Sequence, residues 1–202
     1  MISLSFVGDG PLDEAAAPVL VSGILGTPVT SDFRPWKGIR LHSGRGYERK
    51  LRFLVQEARH SEVHGVVATV DCDTEDKRVR LKELQAAREE SRRTAPPFPT
   101  AIGEARPHLE AWLLDDPLAV RTGLRLPSDT DIPNVRHIDS PKEALIDLLS
   151  HSDRSTERPS IVWPDIAKNV ELARCPHAAE TGFAAFVRDV EAELKPSSTA
   201  RN

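Results

Sequence analysis

The chain is poor in cysteine: its 202 residues include two, Cys72 and Cys175, too few for a disulfide framework or a cysteine-based zinc site. It has no apolar run near the roughly 20 residues that a membrane span requires. Nor does a basic segment lead into an apolar one after Met1, as a secretory signal would. Neither a Walker A sequence nor a dinucleotide-binding glycine fingerprint is present, which disfavours nucleotidyl or phosphoryl transfer from a bound nucleotide. Internal repeats and heptads are also missing. The expectation is a soluble, reducing, cytoplasmic protein of one domain, or of one domain with an appendage. A hydrophobic fraction of 39% is modest, but this length still allows a real core.

Positive charge is scarce overall, with 27 Lys and Arg against 31 Asp and Glu, which argues against a general polyanion binder. Its distribution is uneven. Between Arg34 and Arg59 eight basic residues face two acids, Glu48 and Glu57, leaving a local charge of +6 and −10 elsewhere. Such a chain can grip phosphates with one segment and bind a metal with another, although a basic run also reads as a solvated helix face.

Alternation over residues 2–7, broken at Gly8-Asp9-Gly10-Pro11, predicts a first strand and a turn. A helix is expected over 13–25, distorted or delayed by Pro18, and a second strand over 36–41. Leu51, Leu54, Val55 and Ala58 set an amphipathic helix over 46–60. The nearly uninterrupted apolar run in 63–70 reads as a buried parallel strand, followed by a charged helix over 75–92. Beyond the proline-rich 94–100 come a short strand, 101–105, and an apolar segment, 109–114. Residues 125–140 are turn-rich; helices are expected over 141–149, 165–172 and 178–194, with a frayed tail over 195–202. Strands alternating with helices make this an α/β protein with a mainly parallel central sheet flanked by helices, and a helical C-terminal part.

The informative acids follow the predicted strands. Asp9 and Asp13 straddle the first turn, while Asp71 and Asp73 follow the valine-rich strand two apart, so that in extended geometry they share a face. Ligands of open α/β sheets bind at the carboxyl ends of the strands. Four carboxylates crowded there stay ionised together only with a cation, and hard oxygen ligands suit Mg²⁺ or Mn²⁺. A metal so held orients a phosphodiester and activates water. The same residues also read as helix starts: Asp13 as an N-cap with Glu14 in its first turn, Asp73 or Thr74 as the cap of the next helix.

Asp9-Gly-Pro-Leu-Asp13-Glu14, following a strand, resembles the Glu-Gly-x-x-Asp/Glu motif that opens a Toprim domain. Asp71-Cys-Asp73 resembles the Asp-x-Asp motif of the same domain, which binds Mg²⁺ in topoisomerases, primases and the overcoming-lysogenization-defect (OLD) nucleases. Ala105-Arg-Pro-His-Leu-Glu110-Ala-Trp112-Leu-Leu-Asp115 is similar to the Glu-Ala-Trp-Leu-Leu signature of a family of small Toprim-like bacterial proteins, catalogued as a domain of unknown function and frequently encoded beside an AAA or ABC-type ATPase in anti-phage loci. Ser140-Pro-Lys142-Glu and Ile166-Ala followed by Arg174-Cys-Pro-His177 also look like that family, so the resemblance covers nearly the whole chain. One position departs: Asp9 stands where the motif usually has Glu, one methylene longer.

The resemblance implies a Toprim-like α/β core over 1–125, a mainly helical extension over 126–194 packed on it, and a flexible tail over 195–202. It implies metal ligation by Asp9, Asp13, Glu14, Asp71 and Asp73, completed by Glu110 with Trp112 behind it. Asp9 and Asp71 are then the catalytic acids. Lys142 falls where related nucleases place a lysine that stabilises phosphate charge, though it also reads as a solvent lysine at a helix start. Arg34, Lys37, Arg40, Arg45, Arg49, Lys50 and Arg52 are the candidates for holding a DNA or RNA backbone. The expected function is a Mg²⁺-dependent nuclease, the effector of an ATPase-linked anti-phage defence system presented in a larger assembly. The alternative is a non-catalytic module that docks on its ATPase. His108 and His177 read as loop residues, Cys72 between two acids as a poor nucleophile, and the three tryptophans as core or interface anchors. Tyr47 reads as a base-stacking residue or as the start of an amphipathic helix.

Overall fold

Apolar stretches too continuous for a half-exposed surface become a sheet covered on both faces. A computed structural model of the chain describes residues 1–41, 46–72, 79–93 and 96–195. Strands β1 (Ile2–Gly8), β2 (Val29–Pro35), β3 (Gly65–Asp71) and β4 (Thr100–Ala105) lie in the order β2-β1-β3-β4, all parallel. Helix α1 (Pro11–Leu25) joins β1 to β2, α2 (Tyr47–Arg59) joins β2 to β3, and α3 (Val79–Arg93) lies between β3 and β4. The chain moves outward from β1 to β2 and then crosses back to β3. That reversal puts α1 on one face and α2 and α3 on the other, as right-handed crossovers require.

Side chains divide with the strand period. Leu4, Phe6, Val67, Ala101 and Ala105 bury into the α1 side; Val7, Val66, Ala68, Val70 and Ile102 meet Leu51, Leu54, Val55 and Leu84 on the other. The rest of the chain adds helices to the α1 side: α4 (Glu110–Leu114), α5 (Pro117–Leu124), α6 (Pro141–Ser150), α7 (Pro159–Ala167), α8 (Ala178–Thr181) and α9 (Phe183–Leu194). Helix α7 packs on α1 and α5, and α9 lies along β4. One buried cluster runs from Leu4 and Phe6 through Trp112 and Trp163 to Phe186 and Val190, so residues before and after 125 share a core. Among the described residues no helix is long and apolar enough to cross a membrane.

Several expectations are corrected. The second strand is not 36–41 but Val29–Pro35, a largely exposed edge strand without apolar alternation. Trp36–Gly38 is a 3-10 turn, and Trp36 is buried as a plug whose Nε1–H donates to Thr69 O at 2.7 Å. Helix α1 starts at Pro11 and runs through Pro18 unbroken. The helix expected over 165–172 is α7, six residues earlier, with Pro159 in its first turn where a missing N–H costs nothing. The helix expected over 178–194 breaks at Gly182, whose φ of 88° suits glycine; a Cβ there would stand 2.1 Å from the Glu104 carbonyl oxygen. Helix α5 was not foreseen, although Asp116-Pro117 is a start signal and the Asp116 carboxylate accepts from Leu118 N and Ala119 N. The expected start of the 75–92 helix and the tail beyond residue 195 lie outside the described residues.

Candidate metal and nucleic-acid site

Parallel strands end together, and the reversal of winding between β1 and β3 opens a crevice at their carboxyl ends. Asp9 follows β1 there and Asp71 ends β3. The Asp9 carboxylate accepts the Asp71 backbone N–H on Oδ2 at 2.8 Å, tying the two strand ends together. Asp13, in the first turn of α1, reaches back: its Oδ2 accepts Asp9 N–H at 2.6 Å and Gly10 N–H at 3.2 Å. Gly8 makes the approach possible, since a Cβ there would lie 2.8 Å from Asp13 Oδ2 and 3.0 Å from Thr69 Oγ1. The helix-start reading of Asp13 is therefore partly right, for its carboxylate does satisfy amides at the mouth of α1.

Glu110 arrives from the far side of the sheet. After β4 the chain turns at Arg106-Pro107, where Ala105 O and Pro107 O both accept Cys72 N–H (2.8 and 3.0 Å), and α4 begins at Glu110. Glu110 is 4% exposed, and no hydrogen bond or ion pair to its carboxylate occurs among the described residues. Burial pushes the Asp13 carboxyl up to about 6 against the two backbone N–H bonds, with the neighbouring Asp9 and Glu110 carboxylates raising it further. Asp9 and Glu110 are thus charge neighbours of Asp13, and among the described residues no cation pairs with Asp13 or Glu110. Among the described residues no three His, Cys, Asp or Glu side chains form a set that could hold a metal ion, and Asp73 lies outside them.

The remaining candidates separate. Glu14 is exposed on α1 and carries no bond to the cluster. Lys142 is exposed in the first turn of α6, behind the Ser140 cap, and no interaction joins it to the acids among the described residues. In the basic segment, Arg34 pairs with Glu57 (2.7 Å) and Asp32 (3.7 Å), and Arg52 with Glu90 (3.4 Å) and Glu48 (3.7 Å). Lys50 Nζ donates to Trp36 O at 2.6 Å. Lys37, Arg40 and Arg49 are exposed and bonded to no other described residue, while Arg45 lies outside the described residues. Lys37 follows directly on the β2 end, and Gly8 is registered with Pro35, so this loop leaves the sheet beside Asp9. Tyr47 packs edge-on to Trp36, centroids 5.0 Å apart, under the Arg80 guanidinium at 5.5 Å; its ring is part of the wall.

Arg80 was missed by sequence reasoning. It stands in the first turn of α3 and donates to Asp71 O at 2.9 Å, a cation at the rim of the acidic cluster. Among the six charged residues from Glu75 to Lys82 nothing in the sequence marks it out.

A second acidic pair lies at the other end of α4. Asp115 accepts His177 N–H at 2.9 Å and the His177 Nδ1–H at 2.8 Å. Asp116, fully buried, caps α5 and also takes Glu171 N–H at 3.0 Å and the Arg174 guanidinium at 2.9–3.1 Å. Burial pushes the Asp115 carboxyl up despite its bonds to His177. Burial beside Asp115 and Asp116 pushes the Cys175 thiol up to about 12, which makes it unfit as a nucleophile. His177 stands in the turn before α8, as the loop reading expects, and its bonds to Asp115 make it a half-buried anchor there. Trp112 is fully buried, donates to Thr181 O at 2.7 Å and stacks on Phe186 at 4.8 Å. The chain matches no family model, no curated protein and no solved structure, so the Toprim resemblance stands on its motifs.

Proposed function

We propose that the chain is a Toprim-like, Mg²⁺- or Mn²⁺-dependent nuclease that hydrolyses phosphodiester bonds of DNA or RNA, and that it serves as the effector of an ATPase-linked bacterial anti-phage system. The observation that supports the chemistry is the gathering of Asp9 and Glu110 beside the buried Asp13 at the carboxyl edge of the sheet, where both raise the Asp13 carboxyl. Like charges held close together are costly, and a hard divalent ion is the cation that carboxylate oxygens prefer. The ATPase partner rests on the resemblance alone.

By the resemblance the ion's ligands would come from Asp9, Asp13, Asp71, Asp73 and Glu110, but the described ones do not stand as a ready set of three, so an ion would have to draw them together. Bound there, it supplies charge for the phosphate oxygens and lowers the pKa of an attacking water. The chain's own residues do the rest. The Asp13 and Asp9 bonds to the amides of Asp9, Gly10 and Asp71 keep the crevice in one shape. Arg80 puts a cation at its rim, in the role that the resemblance gave to Lys142. Lys37, Arg40 and Arg49 hold the backbone phosphates on either side of the scissile bond.

A docking module without chemistry is favoured by one observation: Asp9 and Asp13 each spend an oxygen on backbone amides, a purely structural use. Calorimetry with Mn²⁺ separates the readings, on wild type and on the Asp71→Ala, Asp73→Ala double variant, with thermal melts as a folding control. The nuclease reading expects binding that is lost in a folded variant, together with Mn²⁺-dependent cleavage of a labelled DNA or RNA. Absence of binding by the wild type would overturn it in favour of docking.

A further inference from the structure

The two edges of the sheet are finished differently. On β4 the outer edge is closed: Ile102 N–H donates to the Asp189 carboxylate of α9 at 2.7 Å, and Gly182 presses against the Glu104 carbonyl oxygen. On β2 it is open. Pro28 O accepts Ile2 N–H, so by the alternation of a strand the backbone groups of residues 30, 32 and 34 face β1, and those of 29, 31, 33 and 35 face away. Ser22 Oγ accepts Val29 N–H at 3.1 Å, but nothing among the described residues bonds the outward N–H and C=O groups of Ser31 and Phe33. Such an edge is a template for another strand.

Side chains select which strand fits. Asp32 and Arg34 share one face of β2, both exposed and opposite in charge. Let two copies of β2 run antiparallel about a two-fold axis at Phe33. Each Phe33 then exchanges both backbone bonds with its mate, and each Ser31 N–H reaches the partner's Pro35 carbonyl. Each Asp32 lies directly opposite the partner's Arg34. On the other face Phe33, half-buried against the α1-side core, meets the partner's Phe33. The neighbouring registers that keep outward groups together set Asp32 against Asp32 or Arg34 against Arg34, and like charges so placed repel.

We propose that the β2 edge is a self-association surface, through which two copies of this chain pair antiparallel in the register centred on Phe33 and join their sheets into one. The two carboxyl edges then open at opposite ends of the joined sheet, leaving both acidic crevices free. The inference does not depend on the metal reading.

The test is sedimentation equilibrium on the full chain over a concentration series, with thermal melts, comparing wild type, Asp32→Arg, Arg34→Asp and the double swap Asp32→Arg, Arg34→Asp. The expected result is a wild type whose mass doubles as concentration rises. Each single variant should associate about tenfold more weakly, because both cross-strand charge pairs turn from attraction to repulsion. Mixed in equal amounts, the two single variants should pair with each other, since two cations of one chain then face two acids of the other, and the double swap should restore self-association. Unchanged association in the single variants, or no recovery in their mixture and in the double swap, overturns the proposal. So does a wild type that stays monomeric up to about 1 mM, for the charges and Pro35 would then serve to blunt the edge. Should Arg34→Asp not fold for want of its bond to Glu57, Ser31→Pro decides, since it removes an outward N–H and leaves the β1 ladder intact. Weakened association in that folded protein supports the pairing, and unchanged association overturns it.

Discussion

Two pairs of buried carboxylates lie at the two ends of one short helix, and the molecule treats them in opposite ways. Asp115 and Asp116, at the C-terminal end of α4, are 3% and 0% exposed and meet His177, Arg174 and four backbone N–H groups. Asp13 and Glu110, at the N-terminal end, are 7% and 4% exposed; Asp13 has two backbone amides, and Glu110 has no hydrogen bond among the described residues. Burial is equal, so burial alone does not mark a functional acid. Compensation does. A buried acid with its full set of donors belongs to the architecture, whereas one left short of them is kept at a cost that architecture does not explain.

The comparison breaks most visibly at Asp116. Asp116→Ala removes the α5 cap, the Glu171 N–H acceptor and one of the two carboxylates facing Arg174, so urea melts should lose about 2 kcal/mol of stability. If the loss is under about 1 kcal/mol, the compensated pair is not structural and the contrast fails.

At the other end the sign reverses. Asp13 has its carboxyl raised from 3.8 to about 6, so between those values the folded chain holds a proton that the unfolded chain has released. Its contribution is most favourable below the lower value and is lost as pH rises through about 6. Without divalent cation, Asp13→Asn should flatten that fall and gain on the order of 2 kcal/mol at pH 7.5 by melts. The amide oxygen still accepts the Asp9 and Gly10 N–H groups, so the turn is preserved. A variant less stable than wild type at pH 7.5 would mean that the carboxylate is not strained there. Glu110→Gln should weaken Mn²⁺ binding, read by the same calorimetry.

The sequence carried this contrast unevenly. β1, β3, β4 and α2 were legible because periodicity reports burial directly, and Asp9, Asp13 and Asp71 because acids at strand ends must share the sheet's carboxyl edge. Trp36 misled because a buried aromatic in a short apolar run looks like a strand, although it is buried as a turn residue packed in the α2-side cluster and bonded to a β3 carbonyl. Glu110 was reached through a motif resemblance, since neither its burial nor its want of donors can be read from spacing. The Asp115–His177 bond joins residues 62 apart in sequence and leaves no local trace, so His177 passed for a loop residue.

The smallest effects repeat the comparison with the charges inverted. Arg34 and Arg52 each face two carboxylates, while Lys37, Arg40 and Arg49 face none among the described residues. A cation already neutralised by acids releases few counterions on meeting a phosphate, because its field is spent before the nucleic acid arrives. Alanine at Lys37, Arg40 or Arg49 should each lower the slope of log affinity against log salt by about 1 in a single-strand binding titration, without changing sequence preference. Alanine at Arg34 or Arg52 should leave the slope nearly unchanged, since exposed ion pairs of this kind contribute about 0–1 kcal/mol and lend little charge outward. Equal slopes for all five variants would mean that the acids at positions 32, 48, 57 and 90 do not shield their partners. The basic segment would then act as one undivided patch.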